Sequence, residues 1–442
     1  MSEIEKMTLE SESLIDDRLN KLKELMPEVF SESGIDFDKL RLELGDEVDE
    51  GLERYAFTWP GKADAIRQSQ MSSTATLRPR IEKSRSRDGE DGSFDSDNIY
   101  IEGDNLEVLK LLQRGYHGKV KMIYIDPPYN TGHDFVYKDN FGNSVDNYKE
   151  QAGLAGQSNA DTSGRYHSDW CSMMYPRLRL ARELLTDDGV IFISIDDNED
   201  RNLRILCDEV FGEANFVSQL IWERAYSPKN DAKYVSNSHD YVLVYAKSIE
   251  RFVIGRLPRT DEANARYKNP DNDPRGVWKP SDLSVKTYSP DSDYPITTPS
   301  GRVVEPPAGR CWRLSRNAFR ERLQDNRIWF GPNGDSVPCI KRFLTELKYD
   351  GMAPTSIMFY KEVGHSQEGA KELVSLFDGK GYFDGPKPTK LLQRLITLAN
   401  LLMCDKEAIE VQKILPFLSD TWPLCRIGRA VIRASQSCRQ SC

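Results

Sequence analysis

Two short runs constrain the fold of this chain more than anything else in it. Val120 to Ile125, VKMIYI, and Gly189 to Ile195, GVIFISI, are apolar and β-branched almost end to end. A strand with one wet face alternates polar and apolar residues. An unbroken run marks a strand buried on both faces, as in parallel sheets covered by helices. The segments around the runs supply those helices. NLEVLKLLQ (105–113), MMYPRLRLARELL (173–185) and NLRILCDEVF (202–211) carry apolar residues at helical spacing, the first capped by Asp104 or Asn105. NIYIEGD (98–104) reads as a further strand ending at Gly103–Asp104, and HDYVLVYAK (239–247) as a strand at the sheet's edge. Alternation of this kind predicts an α/β fold with a mostly parallel sheet.

The flanks differ from this centre. Residues 1–55 read as a helical arm, with Leu14, Leu19, Leu22, Leu25 and Met26 near helical spacing and a second short segment through Leu40, Leu42 and Leu44. Residues 56–98 form a connector that includes the turn-rich KSRSRDGEDGSFDSD. The sheet region proper occupies 99–250. From 251 to 375 the pattern breaks into short elements rich in proline, glycine, aromatics and arginine, which predicts an inserted, irregular domain. Residues 376–400 return to an amphipathic helix, PKPTKLLQRLITLAN, with Pro388 suited to its first turn. Residues 401–442 match nothing before them and have the composition of a disordered tail.

Charge is divided unevenly along the chain. The net charge is −10, and the 17 acids and 7 bases of residues 1–55 account for it, whereas residues 251–350 hold 18 bases and 13 acids. An acidic protein can therefore present a locally basic face. Between 309 and 330 lie six arginines and two tryptophans. The eight cysteines include no CxxC pair, so neither a disulfide framework nor a zinc site is predicted, which favours a reducing cytoplasm. No apolar run reaches the eighteen residues of a membrane span, and the acidic N-terminus lacks an export signal.

The chemistry concentrates in MIYIDPPYNTG (122–132). A carboxylate at the C-terminal end of a buried parallel strand stands where open α/β sheets bind ligands. Pro127 and Pro128 fix φ and remove two N–H donors, leaving acceptors: the Asp126 carboxylate and the carbonyls near Pro127. Tyr129 adds a flat face. Acceptors beside an aromatic plane suit a planar group bearing an NH₂. Gripping both hydrogens of such an amine favours a pyramidal, more nucleophilic nitrogen and stabilises the charge that develops on it. A tyrosine can stack on a base flipped from a duplex.

IDPPYNTG in this setting resembles the amino-group DNA methyltransferases, in particular the modification subunits of type III restriction–modification systems. The resemblance covers about residues 55–400, through FTWPGKADAIRQ, TLRPR, NIYIEGDNLEVLKLLQ, KMIYIDPPYNTG, HSDWCSMMYPRLRLARELLTDDGVIFISIDDNE, HDYVLVYAK, KRFLTEL and FDGPKPTKLLQRLI in that order. Aspartate at the first motif position resembles the N6-adenine branch more than the N4-cytosine one. The resemblance implies a Rossmann-like, permuted methyltransferase sheet with an inserted α+β target recognition domain at 251–375. It also implies S-adenosylmethionine as donor and direct in-line transfer without a metal. Asp126, Pro127, Pro128 and Tyr129 would hold the adenine. Asp104, Asp169, Phe383, Asp384, Pro386 and Lys387 would lie toward the donor, although Asp104 serves equally as a helix cap. Ser168, Asp169 and Trp170 match a pocket wall. Arg310, Arg313, Arg316, Arg320, Lys341 and Arg342 would face DNA. The implied partners are duplex DNA, a second copy of the chain and a helicase–nuclease restriction subunit.

One expected part is missing. The family's permuted order places a donor-binding F-x-G-x-G turn after the 386–400 helix, but residues 401–442 contain no glycine pair. Those glycines let backbone N–H groups approach the donor. Phe377-Asp378-Gly379-Lys380-Gly381 satisfies the pattern literally, yet AKELVSL before it reads as helix, so it is read as a connecting turn. The expectation is a truncated or frame-shifted member of the family. An active methyltransferase and a DNA-binding remnant without the donor loop both remain open.

Overall fold

The computed structural model describes residues 13–31, 34–44, 57–84, 99–130, 163–230, 232–349, 351–377, 379–381 and 385–400. Phe383, Asp384, Asp378 and the 401–442 segment lie outside them, as do residues 85–98 of the connector and 131–132 of the motif. The chain divides into two compact units, 1–255 with 355–442, and 256–354.

In the first unit the arm contributes helices α1 (Leu14–Leu25) and α2 (Phe37–Leu44), and the connector contributes α3 (Lys62–Gln70). The sheet region then runs α4 (Asn105–Tyr116), β1 (Val120–Ile125), α5 (Ser163–Leu184), β2 (Leu185–Ile195), α6 (Asp200–Phe211), β3 (Phe216–Glu223) and β4 (His239–Ala246). Asp104 caps α4, its Oδ1 accepting from the Glu107 backbone N–H at 2.9 Å. Gln113 on the same helix donates to the Leu180 carbonyl at 3.1 Å, tying α4 to α5.

β1 and β2 pair in parallel, with Ile123 opposite Ile191 and Ile125 opposite Ile193. β4 lies antiparallel between β2 and β3, and the two-residue strand Ile357–Met358 adds to β3 in parallel. Among the described residues four of the five strands of this sheet therefore run the same way and only β4 is reversed. The mostly parallel sheet is as expected, but the 239–247 run is not at its edge. β4 is covered by neighbours on both sides, and Val242 to Ala246 are at most 2% exposed. A second correction concerns NIYIEGD. Residues 99–104 form no strand, and Ile99 and Tyr100 are 57% and 66% exposed. A sheet strand must share its N–H and C=O groups with a neighbour, and none of the sheets among the described residues includes this segment.

α5 and α6 bury Trp170, Leu178, Leu184, Leu203 and Leu206 with Ile191 and Ile193 of β2 and Leu243 of β4 in one core. Each such side chain contributes roughly 1.5–3 kcal/mol when fully buried. Arg18 of α1 pairs with Glu183 of α5 at 3.1 Å. No helix of the described residues is long and apolar enough to cross a membrane.

The second unit is shorter than the 251–375 expected. Its flanks belong to the sheet: Gly255 N–H donates to the Leu398 carbonyl at 2.9 Å, and Ile357–Met358 extends the ladder. A Cβ on Gly255 would stand 1.8 Å from the Thr397 carbonyl oxygen, so only glycine fits that crossing. The unit has its own core around Leu283, Tyr294, Trp312, Phe319, Ile328 and Ile340. β5 (Trp278–Asp282), helix α7 (Arg316–Gln324), β6 (Ile328–Trp329) and β7 (Cys339–Phe343) follow in order, with β7 central in an antiparallel β6–β7–β5 sheet. Lys341 on β7 is 1% exposed, its Nζ bound to Asp271 and 3.2 Å from Asp273. It is a buried structural cation and does not face DNA, which corrects its expected role.

Candidate functional site

β1 delivers Asp126 to its carboxyl end, and the next four residues are held by side chains from three other segments. Trp170 of α5, fully buried, donates its Nε1–H to the Pro128 carbonyl at 2.8 Å. That carbonyl is therefore spent on structure. Among the described residues nothing donates to the carbonyl of Pro127, which remains an acceptor. Asn130 closes the segment with φ of 58°, a left-handed conformation that asparagine tolerates better than most residues.

Asn130 is buried and donates its Nδ2–H to Glu199, which has no exposed surface. Glu199 also accepts from Asn202 at 2.7 Å and pairs with His167 Nδ1 at 2.6 Å. This carboxylate, at the start of α6, anchors the far end of the motif. Sequence reasoning missed it. Glu199 sits among other acids in DDNED, and nothing local shows that it alone turns inward.

The acceptor end is different. Lys387 Nζ lies 2.9 and 3.0 Å from the two oxygens of Asp126. The same ammonium stands 4.9 Å from the centroid of the Tyr129 ring and 5.7 Å from that of Trp222. A cation over such faces gains about 0.5–2 kcal/mol each. The Lys387 side chain is 10% exposed and that of Asp126 32%, so the carboxylate keeps a route to solvent. The Tyr129 hydroxyl is buried near Asp126, and burial, then the Asp126 charge, raises its pKa well above the usual phenol range. Below it, Tyr124 and Ser194 share a hydrogen bond of 2.8 Å. Asp240 faces the same region, paired with Arg224 at 2.7 Å, and burial pushes its carboxyl up to about 6 against the opposing pull of Arg224 and Lys387.

The structure thus brings together Asp126, Pro127, Pro128, Tyr129 and Lys387. The described residues expected around the donor are engaged elsewhere. Asp104 caps α4 and has Arg177 3.7 Å from its second oxygen, while Lys387 grips Asp126. Asp169 is exposed on α5 beside buried Ser168 and Trp170, and the Pro386 carbonyl packs 2.4 Å from the point where a Cβ on Gly369 would lie. Asp104, Pro386 and Lys387 are thus each committed to contacts within the chain. In the second unit Arg313, Arg320 and Arg342 are exposed. Arg316 lies 4.8 Å over the Tyr294 ring, and Arg310 donates to Ser284 at 3.0 Å and pairs with Asp282 at 3.3 Å.

Residues 120–401 match the family of N6/N4 DNA methylases. The Mod subunit of the type III restriction-modification enzyme StyLTI from Salmonella typhimurium strain LT2 is 37% identical over 392 residues, 87% of this chain and 58% of that protein. The EcoPI Mod subunit of Escherichia phage P1 is 33% identical over 421 residues, 86% of this chain and 63% of that protein. The type II methyltransferase M.KpnI of Klebsiella pneumoniae is 30% identical over 322 residues, covering 68% and 70%. The chain spans less than two thirds of the length of the two Mod subunits.

Proposed function

The chain belongs to the N6/N4 DNA methylase family, and on that premise we propose that Asp126 to Tyr129 grip the N6 amine of an adenine flipped from duplex DNA for methylation. The methyl donor is S-adenosylmethionine. The Asp126 carboxylate takes one amine hydrogen and the Pro127 carbonyl the other, while Tyr129 stacks on the ring. Both acceptors are fixed before the base arrives, so they cost little reorganisation as positive charge develops on the nitrogen.

One observation carries this reading: the Lys387 ammonium already sits between the Asp126 oxygens and the Tyr129 ring. A nitrogen bearing hydrogens, facing a carboxylate and flanked by an aromatic plane, is the arrangement that the amine of a stacked adenine would present. Base entry requires the amine to share or take this place. The names of the relatives support a restriction subunit as partner, to which we add a second copy of this chain. Arg310, Arg313, Arg316, Arg320 and Arg342 of the second unit are assigned to DNA, mostly to phosphates, which position the duplex without reading its sequence.

Incubation with labelled S-adenosylmethionine and unmethylated bacterial DNA, followed by nucleoside analysis, tests this. The expected product is N6-methyladenine; label on N4 of cytosine would move the chain to the other branch. A second reading is DNA docking without transfer. A salt-dependent shift of DNA with no donor binding would select it.

A further inference from the structure

The second unit carries a cavity that the clamp at Asp126 does not use. It is an open groove of about 320 Å³ lined by Trp278, Trp329, Pro280 and Val337, with Arg266 and Lys268 among its polar residues. That volume falls within the size of small-ligand sites. The two indole rings meet edge to face with centroids 5.4 Å apart.

Trp278 is immobilised from behind. Its Nε1–H donates to Asp271 at 2.9 Å, Asp271 is held by Lys341, and the Lys341 ammonium lies 5.4 Å from the Trp278 ring. Paired backbone hydrogen bonds of 2.8 Å in each direction between Lys268 and Trp278 fix the lysine at the edge of the slot. Trp329 is only partly buried and pairs with Cys339 across β6 and β7.

The charges point to the occupant. Arg266 and Lys268 are exposed and form no ion pair among the described residues, and no acid lines the cavity. Arg313, Arg320 and Arg342 of the same unit likewise form no ion pair among the described residues, but none of them lines the aromatic groove, whereas Arg275, Arg310 and Arg327 are paired with carboxylates. Two uncommitted cations beside an apolar, aromatic slot match a flat ring joined to a phosphate. A bare phosphate would leave the indoles unused, and an apolar peptide would leave the cations unused.

We propose that this slot binds one unpaired nucleotide of a nucleic acid strand, its base against Trp329 and its phosphate on Arg266 and Lys268. Every base has a π face, so the site tolerates any sequence. It gives the second unit a hold on an unstacked base separate from the adenine at Asp126.

The test is fluorescence titration of the whole chain with a short oligothymidylate, which offers no adenine to the Asp126 clamp. The expected result is saturable tryptophan quenching. Trp329→Ala weakens binding at least tenfold, Trp329→Phe retains it with less quenching, and Lys268→Glu weakens it severalfold with a shallower salt dependence. Retained binding by the phenylalanine variant shows that the alanine loss comes from the lost ring and not from unfolding. No saturable quenching, or equal affinity in wild type, Trp329→Ala and Lys268→Glu, overturns the assignment. Methyl transfer scores the Asp126 reading separately, so either can fail alone.

Discussion

Lys341 and Lys387 each grip an aspartate, one in the second unit and one at the end of β1, and the two pairs do opposite work. The Lys341 side chain and Asp273 have no exposed side-chain surface, and Trp278 and Arg275 satisfy the remaining carboxylate oxygens. Arg275 first, then Lys341, holds the Asp273 carboxyl well below the usual range. At Lys387 the carboxylate is one third exposed, and aromatic faces surround the ammonium in place of further acceptors. A pair with every hydrogen bond made is part of the scaffold. A pair left open to solvent beside a flat ring can exchange its partner, and that is where chemistry belongs.

The sharpest way to break this contrast is to make the same substitution in both pairs. Lys341→Met leaves Asp271 with the Trp278 N–H alone and Asp273 with Arg275 alone, and should cost about 3 kcal/mol, read as early unfolding of residues 256–354 by hydrogen exchange. A cost under about 1 kcal/mol would erase the distinction. Next, Glu199→Ala strands the Asn130 and Asn202 amides and His167, and should cost about 1–3 kcal/mol, with loss of protection around residues 126–130.

Protonation separates the units by sign. Asp273, with its depressed pKa, contributes stability above the unfolded value of about 4 that is lost as pH falls below it. Asp240 titrates in the other direction. Its raised carboxyl contributes stability at low pH that is lost as pH rises from about 4 to about 6, about 3 kcal/mol at most. Unfolding midpoints against pH should lose that decline in Asp240→Asn. The smallest effect is expected for Lys387→Met, about 1–2 kcal/mol by denaturant melting, because methionine keeps the packing on both rings and only the charge is lost. A cost near that of Lys341→Met would make Lys387 scaffold.

Much of this was legible in the chain. VKMIYI and GVIFISI announce doubly covered strands, and a carboxylate followed by two prolines announces fixed acceptors, because both signals are local. What failed was long-range. Lys341 reads as a surface cation in a basic stretch, and only Asp271 and Asp273, some 70 residues earlier in sequence, make its burial possible. YVLVYA shows that a strand is buried but not which strands flank it or which way they run. Lys387 matched a donor motif, and its contact with Asp126, 261 residues away, is invisible to spacing.

On the proposed function, Asp126 holds the amine that becomes methylated. The direct measurement is incorporation of label from S-adenosylmethionine into adenine of unmethylated bacterial DNA by the wild-type chain and by Asp126→Ala, with both variants first shown to be equally folded. The expected result is N6-methyladenine from the wild type and a loss of about 100-fold or more in the variant, as when a preorganised partner of the reacting group is removed. Equal incorporation by the two proteins would contradict it.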